Sequence, residues 1–166
     1  KFNVFRKDKN FQFYLLVDVS ACKMAFYYYD QDTNERLLLK TYTVGLGKKA
    51  ATPSGTLTPL GKYLLGDKIA VYKPGVVGLF QDKQVEMIRV FGTRWLPFGK
   101  ELGECTANAK GYGIHGAPWS PSKQEGKWTE LRQVIGQYES DGCIRLSHED
   151  VEELFSIIVT KPTIVE

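Results

Sequence analysis

Phe11-Gln12-Phe13-Tyr14-Leu15-Leu16-Val17-Asp18-Val19, followed by Met24-Ala25-Phe26-Tyr27-Tyr28-Tyr29, decides the class of fold. The first run is rich in aromatic and β-branched residues. In the second, Met24, Phe26 and Tyr28 alternate with Ala25, Tyr27 and Tyr29, the period of two expected of strands. Asp30 to Glu35 reads as a turn, and Arg36 to Val44 alternates again before Gly45-Leu46-Gly47. The three segments predict an antiparallel meander. Met24 to Tyr29 is most simply a two-faced strand, not a sugar-binding platform.

Outward from this block, Gly and Pro recur from Pro53 and Gly55 to Gly103 and Gly111, a density that breaks long helices and predicts short strands joined by loops. One helix is expected after Ser147, which can cap it with Asp150 three residues on; Val151, Leu154, Phe155 and Ile158 then recur at helical spacing. Pro162 stops it and Thr163-Ile164-Val165 reads as a last strand; a weaker helical turn is expected within Thr129 to Ile135. The resulting class is mainly β, a sandwich or open barrel with one or two short helices.

With 166 residues, the chain is expected to form one domain over 1–166. Hydrophobic residues make up 43% and charged residues 25%, the range of a folded globular chain. The net charge of +3 comes from intermixed signs, so nucleic acid is not an expected partner. The longest apolar run, Met24 to Tyr29, is far below the roughly 18 residues of a membrane-spanning helix. The opening Lys1-Phe2-Asn3 has no signal-peptide pattern, so any signal or anchor segment is expected outside this chain. Cys22, Cys105 and Cys143 are odd in number and lack CxxC spacing, which implies neither a disulfide framework nor a metal site.

Two side chains carry the chemistry. His115 lies in Gly111-Tyr112-Gly113-Ile114-His115-Gly116, where alternation sends Ile114 to the core and the imidazole to the other face. Cys143 lies in Ser140-Asp141-Gly142-Cys143-Ile144-Arg145-Leu146, where the same rule places Cys143 and Arg145 together, opposite Ile144 and Leu146. A thiol with an ordinary pKa near 8.5 is only slightly ionised at neutral pH, so a histidine that takes its proton would supply the nucleophile for acyl transfer. Gly142 would let amides around residues 141 to 143 converge on an oxyanion, and Arg145 would bind a carboxylate. The bland reading, an inert strand cysteine beside a structural histidine, stands equally on chemistry alone.

The blocks Gly113-Ile114-His115-Gly116 and Ser140-Asp141-Gly142-Cys143-Ile144-Arg145-Leu146 resemble the signature of the L,D-transpeptidase family, the YkuD domain. Its pattern is His-Gly followed by Ser-His-Gly-Cys-hydrophobic-Arg or Asn. Leu15-Leu16-Val17-Asp18 to Phe26-Tyr27 resembles the family's opening hairpin, and Ala51-Thr52-Pro53-Ser54-Gly55-Thr56 its Thr-Pro-x-Gly turn, so the likeness covers nearly the whole chain. It implies Cys143 as nucleophile, His115 as general base, and Gly116 as the carbonyl that orients the imidazole. It also implies amides near Asp141, Gly142 and Cys143 as the oxyanion hole. Arg145, Ser140, Tyr112 and Trp119 would meet substrate. The implied partners are peptidoglycan tetrapeptide stems, attacked at the third residue with release of terminal D-alanine and transfer to an acceptor amine. No metal or organic cofactor is implied, a monomer is expected, and the expected address is the extracytoplasmic cell envelope. Water as acceptor would make an L,D-carboxypeptidase, and loss of catalysis a peptidoglycan-binding domain.

The chain departs from the pattern at Asp141, which replaces the usual His and places a carboxylate where it tends to raise the thiol pKa. The 24 residues of 116–139, longer than the family's spacing, read as a loop near the cleft with Trp119 and Trp128 as bracing aromatics. No appended peptidoglycan-binding module is recognisable. His148, at the helix start, is expected to face solvent. Cys22 reads as a core or edge thiol and Cys105 as a loop thiol. Trp95-Leu96-Pro97-Phe98 reads either as a wall of the cleft or as an apolar loop plug.

Overall fold

The computed structural model describes residues 10–67 and 69–166. The opening residues Lys1-Phe2-Asn3 lie outside them. The predicted meander forms β1 (Phe11–Asp18), β2 (Lys23–Asp30) and β3 (Glu35–Thr43), antiparallel throughout. The Gly- and Pro-punctuated stretch yields β4 (Leu46–Gly47), β5 (Tyr63–Leu65), β6 (Ala70–Val71), β7 (Val77–Phe80) and β8 (Lys83–Glu86). It continues into a four-residue helix, α1 (Ile88–Phe91), and β9 (Arg94–Glu101). Then follow β10 (Gly113–Gly116), β11 (Trp119–Pro121), β12 (Trp128–Glu130), a 3-10 turn at Arg132–Val134, β13 (Tyr138–Ser140) and β14 (Ile144–Leu146). Helix α2 (His148–Ile158) and β15 (Thr163–Val165) complete the order.

A mixed sheet carries the strands in the order β14-β10-β9-β5-β15-β1-β2-β3, with β6 also on β9. Two of its joins are parallel, β10 with β14 and β1 with β15. The last strand therefore lies in the middle of the sheet, between β5 and the first strand. Alternation in β2 works as read: Met24, Phe26 and Tyr28 are buried. Across the strand pair Phe13 meets Phe26 with ring centres 5.4 Å apart, and Tyr63 stacks on Phe98 at 4.7 Å.

Helix α2 starts as its sequence requires, with Ser147 Oγ accepting the Asp150 N–H at 3.2 Å, a cap generally worth about 1 kcal/mol. Val151, Leu154 and Ile158 are its buried stripe and pack on the face that also carries Leu96, Ile114 and Leu146. Phe155 is only half-buried and stacks under the Arg94 guanidinium at 3.9 Å.

Three expectations change. Strand β3 is the sheet edge, exposed from Glu35 through Thr41, so its alternation does not mark a buried face until Tyr42. A register shift opposite Phe26 and Tyr27 breaks the edge, and Lys40 turns to Glu153 of α2 at 2.8 Å; both features discourage further strand pairing. The expected loop of 116–139 contains the hairpin β11–β12, with Trp119 opposite Glu130 and Pro121 opposite Trp128. Trp95-Leu96-Pro97-Phe98 is neither plug nor loop but part of β9, with Leu96 and Phe98 in the core.

Candidate active site

Two strands distant in sequence bring the chemistry-bearing side chains together. In the parallel β10–β14 pair Ile114 faces Ile144 and His115 faces Arg145. Because Ile114, Ile144 and Leu146 are buried in the core, the alternate positions His115, Arg145 and, one step before β14, Cys143 share the opposite face. One strand spacing and a two-residue step along the strand put the Cα atoms of His115 and Cys143 about 8 Å apart, with both side chains on that face.

His115 is held by its own neighbour. Its Nδ1 lies 2.7 Å from Gly116 O, and a carbonyl can only accept, so Nδ1 carries the hydrogen and Nε2 keeps its lone pair. The ring meets Phe91 edge-on at 5.1 Å and Trp95 at 6.0 Å. Only 3% of the residue is exposed, a depth that alternation along the strand does not indicate. Burial pushes its pKa down to about 3, opposed by the Gly116 carbonyl and reinforced by the Arg145 charge. The imidazole is neutral at physiological pH, the form a general base needs.

Cys143 is held in its protonated form. Burial pushes its thiol up to about 11, while the Gly113 N–H and the Arg145 charge pull it down; the Asp141 carboxylate, expected from sequence to matter, is the smallest contribution. The sulfur also lies 3.7 Å from Gly111 O. At neutral pH these shifts favour the thiol at Cys143 and the neutral imidazole at His115 over a thiolate and an imidazolium.

The turn before the sulfur is fixed by Gly142 and Ser140. Gly142 has φ 134°, and a Cβ there would lie 2.5 Å from Tyr112 Cε1 and 2.9 Å from Leu57 O, which makes glycine a requirement. Buried Ser140 accepts the Gly142 N–H at 3.1 Å and donates to Cys143 O at 2.7 Å. This clasp occupies one of the three amides expected to form an oxyanion hole. The Asp141 side chain instead points outward and pairs with Lys48 at 3.1 Å.

Arg145 is tied by its backbone to Gly45, N–H to O at 2.8 Å in both directions. Its Nε is buried without a hydrogen-bond partner, and among the described residues it forms no salt bridge. Tyr112 packs on Gly142 and, with Pro53, Ser54 and Leu57, lines a cavity of about 180 Å³. The Thr52–Thr56 turn shapes that wall through Ser54 Oγ, which donates to Thr58 O at 2.7 Å, and through Gly55 at φ 73°. A larger groove of about 730 Å³, between β5, β9 and the end of α2, contains none of His115, Arg145 and Cys143.

The Trp119 ring meets His148 edge-on at 5.3 Å at the start of α2. His148 is half-buried rather than solvent-facing, with Nδ1 3.2 Å from Thr93 Oγ1. Cys22 is buried, Cys105 is half-buried with Sγ 3.3 Å from Lys62 O, and all three cysteines are free. Sequence reasoning missed Phe91, and it left Trp95 undecided between wall and plug; the aromatic run at Trp95 was the only signal for either. Among the described residues, no group of three His, Cys, Asp or Glu side chains is placed to hold a metal ion.

The sequence model of a family described as the L,D-transpeptidase catalytic domain, YkuD, matches residues 12–166. This chain belongs to that family. An L,D-transpeptidase from Mycobacterium smegmatis superimposes with a TM-score of 0.50 at 17% identity, over 94% of this chain and 59% of its own. Bd1075 of Bdellovibrio bacteriovorus gives 0.54 at 14% identity, over 96% of this chain and 49% of its own. The helical cell shape determining protein Pgp2 of Campylobacter jejuni gives 0.54 at 12%, over 95% and 47%. The chain thus spans about half the length of the solved structures it matches. At these identities the likeness is one of fold. No curated protein sequence matches the chain. Within the L,D-transpeptidase family, whose members act on peptidoglycan, the chain is a mainly β domain with two helices around a mixed sheet.

Proposed function

We propose that this domain is a cysteine-dependent L,D-transpeptidase that carries the acyl group of a peptidoglycan tetrapeptide stem on Cys143. The observation that supports the reading is the parallel register of β10 and β14, which pairs His115 with Arg145, two residues after Cys143, while Gly116 O takes the Nδ1 hydrogen and leaves Nε2 its lone pair. In the first half-reaction Sγ attacks the carbonyl carbon of the third stem residue as its proton passes to His115 Nε2. The C–N bond then breaks, and Nε2 returns the proton to the departing D-alanine amine, leaving a thioester. In the second, an acceptor amine attacks the thioester, a proton passes through Nε2 to the sulfur, and the thiol is restored.

Gly116 fixes the tautomer, the role a carboxylate plays in serine hydrolases. Arg145 holds a substrate carboxylate; its enclosed, unpartnered Nε supports this. All these residues come from one chain, so a monomer suffices. Peptidoglycan as substrate places the activity on the extracytoplasmic side of the cell envelope.

The test is incubation of purified disaccharide-tetrapeptide with the protein and with Cys143→Ala, products being read by mass spectrometry. Cross-linked dimers absent with the variant are expected. Tripeptide without dimers would mean water is the acceptor, and intact tetrapeptide with both proteins would leave only a binding role.

A further inference from the structure

Helix α1 is closed by Gly92, whose N–H donates to Ile88 O at 3.2 Å. At φ 65° and ψ −148° its backbone lies where glycine alone is at ease. The residue does more than stop the helix. A Cβ at this position would lie 2.6 Å from Ala117 O, 2.8 Å from Gly116 C and 2.9 Å from Gly116 Cα. All three are backbone atoms that no side-chain rotation can move aside, so the end of α1 rests directly on the chain at Gly116 and Ala117.

The peptide between those two residues is the one that orients the imidazole. Its carbonyl, Gly116 O, accepts the His115 Nδ1 hydrogen at 2.7 Å, and its N–H, on Ala117, donates to Leu146 O at 2.7 Å. The two groups share one rigid plane and point opposite ways, so the plane is tied to β14 at one end and to the imidazole at the other. Ties at two ends leave a plane free to rock about the line between them, and a third contact stops the rocking. Gly92 makes that contact. Thr93 keeps it in place, its O accepting the Tyr72 N–H at 2.8 Å and its Oγ1 donating to Glu152 at 3.2 Å. Phe91, on the other side of Gly92 in the chain, meets the His115 ring at 5.1 Å.

We propose that Gly92 is a positioning residue for the general base: by seating the Gly116–Ala117 peptide it keeps Gly116 O on Nδ1 and therefore the lone pair on Nε2. The inference rests on the reading of His115 as the base for Cys143. Consecutive residues at the end of α1 then have separate tasks, Phe91 excluding water from the imidazole and Gly92 fixing its tautomer.

The experiment reads the His115 tautomer by NMR of the substrate-free protein carrying isotope-labelled histidine. The chain has two histidines, so His148→Gln assigns the signals. Wild type should show the hydrogen on Nδ1. In Gly92→Ala part of the population should carry it on Nε2 instead. The kcat for stem peptide should fall about a hundredfold with KM little changed, the low end of what a positioned general base supplies. Gly99→Ala is the control, because its Cβ would lie 2.9 Å from Gly66 Cα, a comparable backbone clash. Gly99 stands four residues along β9 from Trp95, the register partner of His115, a distance of about 13 Å. This variant should lose stability and keep the wild-type tautomer. If Gly92→Ala does not fold, Glu152→Ala, which unfastens Thr93 at a partly exposed position, should shift the tautomer in the same direction by less. An unchanged tautomer in the folded variant, or the same change in Gly99→Ala, would overturn the proposal. Absence of any acyl mass on wild-type Cys143 would instead overturn the acyl-transfer reading beneath it, whatever the tautomer does.

Discussion

His115 and Arg145 are register partners across the parallel β10–β14 pair, so an imidazole that must stay uncharged lies beside a guanidinium that cannot lose its charge. With burial as the main cause, the histidine's folded pKa falls from 6.5 to about 3. The folded value lies below the unfolded one, so this contribution to stability is complete above about 6.5 and is lost as pH falls through the window to 3. The slope should approach about 1.4 kcal/mol per pH unit. Denaturant unfolding between pH 7 and 4 should show it, and His115→Gln should flatten it there; the same slope in both proteins would assign the acid sensitivity to carboxylates.

Phe91 closes one side of that imidazole at 5.1 Å and is itself packed by Phe80 at 5.5 Å and Tyr72 at 6.0 Å. Phe91→Ala admits water to the ring, relieving part of the desolvation that depresses its pKa. Titration of the His115 ring by NMR should move upward toward the ordinary range in this variant. No movement would mean that Trp95 and Arg145 alone set the value.

A thiol held at about 11 changes how reactivity depends on pH. Alkylation of Cys143 by iodoacetamide should climb about tenfold per pH unit from neutrality and level off only near that value. A plateau below pH 8 would reveal a preformed thiolate–imidazolium pair instead.

Ser140 accepts the Gly142 N–H and donates to Cys143 O while buried. Ser140→Ala leaves both groups without a partner, and each buried unmade bond generally costs about 1–3 kcal/mol. The variant should unfold at lower denaturant and turn over stem peptide at least tenfold more slowly. Ser140→Thr, which keeps the hydroxyl, should recover part of the activity.

At Gly142 the conflict is steric and conformational together, with φ 134° and an intruding Tyr112 ring edge. Gly142→Ala should cost about 1–3 kcal/mol from the backbone conformation alone and abolish thioester formation. Tyr112→Ala added to it removes the ring contact but neither the φ nor the Leu57 O contact at 2.9 Å, so activity should stay low. Recovery in the double variant would place the whole problem on Tyr112.

Much of this was legible in the sequence because it is local. The alternation of Met24, Phe26 and Tyr28, the Ser147 cap with its Val151, Leu154 and Ile158 stripe, and the facing of Cys143 and Arg145 all follow from periods of 2 and 3.6. What was hidden depends on remote contacts. Phe91 sits on a single helical turn with no periodicity, and only the fold carries it to His115. The depth of His115 was likewise invisible, since alternation tells which face a residue takes but not what covers it. The hairpin that pairs Trp119 with Glu130, and the contact of its ring with His148, were also not legible in the sequence. At Ser140 the motif marked a site neighbour, but which amides its hydroxyl would occupy depends on a turn set by Gly142.

Strand β15 joins β1 to β5 and so links the meander half of the sheet to the half that bears Cys143. Glu166 extends the link, its N–H donating to Leu15 O at 2.8 Å and its carboxylate receiving Tyr14 OH at 2.6 Å. On a ribosome, Cys143 is therefore synthesised before the strand that joins the two halves of its sheet. The emerging chain passes through an interval in which Cys143 exists but its two half-sheets remain unjoined, because the strand that pairs with both β1 and β5 comes last.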